Sequence, residues 1–213
     1  MSEVKFTIDG REIKAPAGKK LLWVALEHEI FIPHLCGIRE EERPNAGCRL
    51  CFVDVEGEAG PVAACTLPVR EGMVVQTRSP AVDRLVRTAF ELLLSDHHLQ
   101  CGKCPKNRNC TLQQIARERG LKLKLTRLQK LERDMPPVDE STGVFAFDRS
   151  RCVLCGQCVQ ADQQVAKVGA IGFSNRGLNR TVSTFTGVDL EDSPCIKCGL
   201  CVKACPVGAL YFT

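Results

Sequence analysis

The run Cys195-Ile196-Lys197-Cys198-Gly199-Leu200-Cys201-Val202-Lys203-Ala204-Cys205-Pro206 constrains this chain more than any other stretch. Three thiolates at every third position wrap three corners of one iron–sulfur cubane, and the fourth, followed by proline, is directed to the other cluster of a pair. A partner run must therefore lie upstream. It is Cys152-Val153-Leu154-Cys155-Gly156-Gln157-Cys158, with Cys205 as its expected fourth ligand. By the same exchange, the cluster on Cys195, Cys198 and Cys201 needs a ligand four residues after Cys158. That position holds Asp162.

Composition bears on whether these thiols are ligands or disulfides. Fourteen of 213 residues are cysteine, and 44% are hydrophobic. That cysteine content approaches the range of disulfide scaffolds. The opening Met1-Ser2-Glu3-Val4-Lys5-Phe6 leads straight into strand-like alternation, without a secretory pattern. There is no apolar run of about 18 residues to span a membrane. The expectation is a cytoplasmic protein whose cysteines are reduced metal ligands. The formal charge of +4 is offset once clusters are bound, since four of them with their thiolates add roughly −6. The basicity therefore gives no argument for nucleic acid.

Three regions follow in order. Val4, Phe6 and Ile8 alternate up to Asp9-Gly10, and Ile13 lies beyond, which predicts a β-hairpin with a two-residue turn. Leu21 to Glu29 carries helical spacing, and strand character returns at Phe52–Val55 and Met73–Thr77. Between these elements stand Cys36, then Cys48-Arg49-Leu50-Cys51, then Cys65. Four thiolates with one wide gap suit a [2Fe–2S] rhomb, two per iron. A structural zinc site is the alternative, but it normally pairs two CxxC units and only one is present here.

Residues 81–95 predict an amphipathic helix with Val82, Leu85, Val86, Ala89, Phe90 and Leu93 on one face. It leads into His97-His98-Leu99-Gln100-Cys101-Gly102-Lys103-Cys104, with Cys110 beyond. Three cysteines leave one cubane corner open, and the neutral imidazole of His97 or His98 can fill it. Residues 111–119 predict a helix capped by Gly120. Lys122, Lys124, Arg127 and Lys130 form a basic stripe, read either as a docking face for an acidic partner or as a solvated surface. Residues 134–143 are rich in turn formers and predict a linker. The fold class is thus α+β, in three domains: 1–78 for [2Fe–2S], 79–140 for a single [4Fe–4S], and 141–213 for two [4Fe–4S] clusters.

Four cysteines in the first set, three in the second and seven in the pair use all fourteen. No thiol remains for nucleophilic catalysis, and no phosphate loop, dinucleotide fingerprint or nucleophile elbow is present. Redox centres without a substrate site predict one-electron relay, with the catalytic ends on other polypeptides.

The order Cys36…Cys48-Arg-Leu-Cys51…Ala64-Cys65-Thr66, then Leu92-Leu93-Leu94…His97-x3-Cys101-x2-Cys104-x5-Cys110, then Arg151-Cys152-Val-Leu-Cys155-Gly-Gln-Cys158 resembles the amino-terminal iron–sulfur region of the complex I large subunit. The same region recurs in [FeFe]-hydrogenases and as the small diaphorase subunit of NAD(P)-linked [NiFe]-hydrogenases, to which a chain ending at Thr213 is most similar. The resemblance implies a β-grasp [2Fe–2S] domain, a small helical [4Fe–4S] domain with one histidine and three cysteine ligands, and a two-cluster ferredoxin-like domain. It selects His97 as the histidine ligand. It implies partners too: flavin- and NAD(P)-binding diaphorase subunits at one end and a catalytic subunit at the other. The best-fitting catalyst is a soluble [NiFe]-hydrogenase, including the electron-bifurcating kind. An NAD-linked formate dehydrogenase is the alternative complex, and a zinc-stabilised binding protein the alternative class. Asp162 departs from the family pattern, which has cysteine there; the fourth cluster is then Asp-ligated or a [3Fe–4S] form.

Overall fold

The computed structural model describes residues 2–185 and 187–213. The chain divides into two compact units, 1–92 and 93–213.

In the first unit, β1 (Glu3–Ile8) and β2 (Arg11–Pro16) pair in register from Glu3 with Pro16 to Ile8 with Arg11. Asp9 and Gly10 turn the hairpin at φ 51 and 78. Both are left-handed, as a two-residue turn matched to strand twist requires. Alternation puts Val4, Phe6, Ile8, Ile13 and Ala15 inward. Helix α1 (Leu21–Glu27) adds Leu21, Leu22, Val24 and Ala25 to the same core. Strands β3 (Phe52–Val55), β4 (Val62–Ala63) and β5 (Val74–Gln76) complete a five-stranded sheet of order β2-β1-β5-β3-β4. Only β1 and β5 run parallel. The last strand is shorter than the apolar run from Met73 suggests, because the pairing of β5 with β1 and β3 covers only Val74–Gln76. Asp9 accepts hydrogen bonds from the Thr77 backbone N–H at 2.7 Å and its hydroxyl at 2.6 Å, tying the hairpin turn to the end of β5.

Helix α2 (Pro80–Asp96) starts with proline in the first turn, and the Ser79 hydroxyl accepts the Val82 N–H at 3.1 Å. It runs from the first unit into the second. Helix α3 (Thr111–Arg119) ends on Gly120 at φ 64, as the sequence predicts.

The rest of the second unit is a repeat exchanged across itself. Strand β6 (Phe145–Phe147) precedes the first paired ligand run, which leads into α4 (Gln157–Gln160), a π-helical turn at Ala161–Ala166, and β7 (Ile171–Ser174). Strand β8 (Thr181–Thr184) precedes the second run, followed by α5 (Leu200–Ala204) and β9 (Leu210–Phe212). The outer strands pair, β6 with β9, and the inner strands pair, β7 with β8, both antiparallel. This pairing brings Cys205, after α5, back toward the first run.

The segment 134–143 is not a free linker. Asp139 is buried and bridges to Phe147 in antiparallel fashion. Its carboxylate accepts the Ser141 N–H at 3.1 Å, the Ser141 hydroxyl at 2.6 Å and the Leu190 N–H at 2.9 Å. Turn formers here serve to place an acceptor, which composition alone does not reveal. Among the described residues no helix is long and apolar enough to cross a membrane.

Candidate metal centres

Cys36, Cys48, Cys51 and Cys65 are all buried in the first unit. Leu22 N–H donates to the Ala64 carbonyl at 3.1 Å and Ala64 N–H to the Cys51 carbonyl at 2.9 Å, so helix α1 and strand β3 both hold the Cys65 segment. The Cys48 N–H points at Cys36 Sγ, 3.4 Å away. Ala46 and Arg49 adopt left-handed backbone at φ 50 and 53, curling the chain around the thiols. The sulfurs fall into two neighbouring pairs. The Cys48 thiol and burial push the Cys36 thiol up, and the Cys65 thiol and burial push the Cys51 thiol up. Two pairs of soft donors fit two iron corners.

In the second unit, His97 is 6% exposed while His98 is exposed. His97 Nδ1 lies 2.8 Å from the Arg151 carbonyl oxygen. A carbonyl can only accept, so Nδ1 carries the proton and Nε2 keeps its lone pair. Burial holds the His97 pKa below its ordinary value, which keeps the ring neutral. The neighbouring His98 N–H donates to the Ser150 carbonyl at 2.8 Å. Lys130 Nζ donates to the His97 carbonyl at 2.9 Å. Lys130 stays exposed but turns its ammonium toward His97, and partial burial lowers its pKa.

Cys101, Cys104 and Cys110 are half-buried around a 3-10 turn and the start of α3. Burial raises the Cys110 pKa, and the charges of Cys104 and Cys101 raise it further. The Thr111 N–H donates to the Pro206 carbonyl at 2.9 Å, so this loop packs on the chain just after Cys205. Gly208, at φ +95, is part of that contact: a Cβ there would stand 2.9 Å from Cys104 Sγ. The backbone approaches the sulfur more closely than any side chain would allow.

The paired runs fold alike. Leu154 N–H donates to Cys152 Sγ and Lys197 N–H to Cys195 Sγ, each at 3.4 Å. Leu154 and Lys197 sit at φ 53 and 54, and Gly156 and Gly199 at φ 82 and 71. Each loop therefore curls in the same left-handed way and turns its amides toward a sulfur. Such N–H groups favour a thiolate over a thiol. Burial acts the other way, raising Cys152 and Cys201 to about 12 and Cys158 well above its usual value. The same charges reveal the neighbourhoods. Cys205 bears on Cys152 and Cys158, whereas Cys195, Cys198 and Asp162 bear on Cys201. Cys201 also bears on Cys158, so the two sets adjoin. Asp162 is 9% exposed and accepts the Ile171 N–H at 3.2 Å through Oδ2.

The structure brings Cys36, Cys48, Cys51 and Cys65 together, sets Cys101 and Cys104 near Cys110, Cys152, Cys155 and Cys205 near Cys158, and Cys195, Cys198 and Asp162 near Cys201, while His97 meets Arg151 and Lys130. Among the described residues no three His, Cys, Asp or Glu side chains close on a single metal ion. Cluster ligands are spread over the corners of an iron–sulfide cage, farther apart than the ligands of one ion. Sequence reasoning missed Gly208 and the contacts that Arg151 and Lys130 make with His97. The left-handed Arg49, Leu154 and Lys197 were also unforeseen, since their residue types give no sign of such backbone.

Comparison with known proteins finds iron–sulfur regions along the chain. Residues 1–80 match a 2Fe-2S iron-sulfur cluster binding domain, residues 87–123 an NADH-ubiquinone oxidoreductase-G iron-sulfur binding region, and residues 151–209 a 4Fe-4S dicluster domain. NADP-reducing hydrogenase subunit HndD of Solidesulfovibrio fructosivorans is 34% identical over 99% of this chain and 36% of its own length. The mitochondrial NADH-ubiquinone oxidoreductase 78 kDa subunit of Neurospora crassa is 30% identical over 98% of this chain and 27% of its own. The chain therefore spans about a third or less of these curated relatives. A chain in the crystal structure of NAD+-reducing [NiFe]-hydrogenase in the H2-reduced state superposes with a TM-score of 0.86 at 30% identity, covering 99% of this chain and 87% of that one. By that near-complete match, the chain belongs to the family of iron–sulfur electron-transfer subunits found in NAD(P)-linked hydrogenases and complex I.

Proposed function

We propose that this chain relays single electrons through four clusters, between a flavin- and NAD(P)-binding diaphorase partner and a hydrogenase catalytic subunit. The observation that carries the reading is that thirteen of the fourteen cysteines and His97 are buried or half-buried, with Cys205 beside Cys152 and Cys158 and with Cys195 and Cys198 beside Cys201. The ligand sets are Cys36, Cys48, Cys51 and Cys65 for a [2Fe–2S] cluster; His97, Cys101, Cys104 and Cys110 for one cubane; and Cys152, Cys155, Cys158 and Cys205 for the next. Cys195, Cys198 and Cys201 hold three corners of the last. When bound, the clusters supply one-electron transfer, and the chain holds, shields and tunes them. The sheet order β2-β1-β5-β3-β4, with α1 across it, supports a β-grasp domain for the first cluster. The three-domain division at 78 and 140 is part of the same reading.

Anaerobic purification, with iron and acid-labile sulfide analysis and EPR of the reduced protein, tests it. The expected result is about 14 irons per chain, with one [2Fe–2S] signal and interacting cubane signals. A colourless protein loaded with zinc overturns it. Copurification with a flavoprotein that reduces the clusters from NADH or NADPH tests the partner, and failure of either nucleotide to reduce them in the complex removes the diaphorase assignment.

A further inference from the structure

We propose that the Asp162 carboxylate holds the fourth corner of the cluster on Cys195, Cys198 and Cys201, making that corner an exchangeable divalent-metal site. The inference rests on the four-cluster reading and adds a property to its last member.

Asp162 lies four residues after Cys158, on the same helical face, within the π-helical turn Ala161–Ala166. Helix α5, which carries Cys201, packs against that turn. The carboxylate is buried, yet among the described residues no lysine or arginine pairs with it and its hydrogen bond comes from the Ile171 N–H to Oδ2. Buried charges are paired or coordinate metals, because an unpaired carboxylate in a low-dielectric interior is expensive. A single metal corner would compensate Asp162, with Oδ1 as the ligand and Oδ2 still held by the backbone. That division of labour is how ligating carboxylates are commonly oriented.

Lability follows from ligand type and access. Carboxylate is a harder, weaker donor to iron than thiolate. Cys198 is the one exposed cysteine of the fourteen, so solvent reaches this cluster first. Transfer of one electron to ferricyanide and departure of one Fe2+ converts a [4Fe–4S]2+ cluster to [3Fe–4S]+. Charge balances, since the oxidised cage at 3+ divides into 1+ and 2+. The three thiolates stay in place and Asp162 is released as a free carboxylate.

The test uses the iron-loaded complex and its variants. Asp162→Asn keeps an oxygen acceptor for the Ile171 N–H but removes the anionic donor, Asp162→Cys supplies a thiolate, and the [2Fe–2S] EPR signal reports folding in each. Wild-type protein treated with one equivalent of ferricyanide is expected to lose about one iron of about 14 and show an oxidised [3Fe–4S] signal. Fe2+ with dithionite restores the iron, and Zn2+ added with dithionite to the [3Fe–4S] form is retained at about one per chain. D162N shows the [3Fe–4S] signal without oxidant, and D162C keeps all its iron under ferricyanide. A D162N protein with full iron and wild-type spectra overturns the proposal and leaves Asp162 as an acceptor for Ile171 only. Absence of every cluster signal in wild type would instead overturn the four-cluster reading itself.

Discussion

His97 Nδ1 donates to the carbonyl oxygen of Arg151, the residue that immediately precedes Cys152. The bond sets the tautomer that a metal-ligating imidazole needs. It also joins a ligand of one proposed cluster to the peptide unit leading into the first ligand of the next. Tertiary structure thus places a short hydrogen-bonded and covalent path between the two proposed ligands, His97 and Cys152.

Replacing His97 with alanine should remove the iron at that corner, about one of about 14, and give an oxidised [3Fe–4S] signal, whereas His98→Ala should leave iron unchanged because His98 is exposed. His97→Cys should keep the iron and lower that cluster's potential by on the order of 100 mV, since a thiolate adds negative charge where imidazole adds none. Potentiometric EPR titration distinguishes these outcomes. An unchanged iron count in His97→Ala would move the histidine ligand elsewhere.

Gly208→Ala should cost at least about 1 kcal/mol from left-handed strain alone, and more because the new methyl would meet Cys104 Sγ. In a domain of this size that lowers the melting temperature by at least about 2–4 °C, and iron loss should come from the His97 cluster first. Gly60→Ala, whose Cβ meets nothing within 4 Å, serves as the control. Equal melting of the two variants would show that the approach to Cys104 does not matter.

Asp139→Asn should destabilise the second unit by about 1–3 kcal/mol, the usual cost of disturbing a charge-assisted acceptor. Burial raises the Asp139 pKa, but the bonds from Ser141 and Leu190 and the charge of Arg149 lower it below its ordinary value overall. A lowered folded-state pKa gives stability that is present above the unfolded value of about 3.9 and lost as pH falls through the folded value. The difference between wild type and D139N in urea melts should therefore stay constant from pH 8 to pH 5. A difference that shrinks across that range would mean the carboxylate already takes up a proton there.

Iron removal by chelation under reducing conditions should loosen the two units unequally. Residues 1–92 hold a five-stranded sheet over a continuous apolar core. The ladders of the second unit are only three or four residues long, and its Cys158 is a buried thiol with Cys152 and Cys201 half-buried. Where metal binding supplies folding free energy, removing it removes structure. Limited trypsin digestion of the apo protein should leave a fragment of about the first 90 residues as the longest-lived product. Even digestion of both halves would contradict this division.

Much of the molecule was legible because local rules decide it. The hairpin at Asp9-Gly10 follows from turn chemistry, and the end of α3 at Gly120 from the left-handed cap. The grouping of Cys195, Cys198 and Cys201, and the assignment of Cys205 to the other set, follow from spacing, because a cubane accepts few ligand separations. Those choices involve neighbours in sequence or a cofactor with its own geometry. Other features depend on what lies across the fold. Residue chemistry leaves His97 and His98 open and the family resemblance selects His97, but the contact that orients its ring is an acceptor 54 residues away. The 134–143 segment reads as linker until Leu190 is brought to Asp139, and nothing near Lys130 in sequence shows that its ammonium bonds the His97 carbonyl. Gly208 has no local turn to explain it and acquires its reason only when Cys104 comes within reach of its missing Cβ. A sequence states which donors and acceptors exist and how close neighbours can stand; only the folded chain decides which distant pair meets in a space without water, where an unmet hydrogen bond or a misplaced methyl carries its full cost.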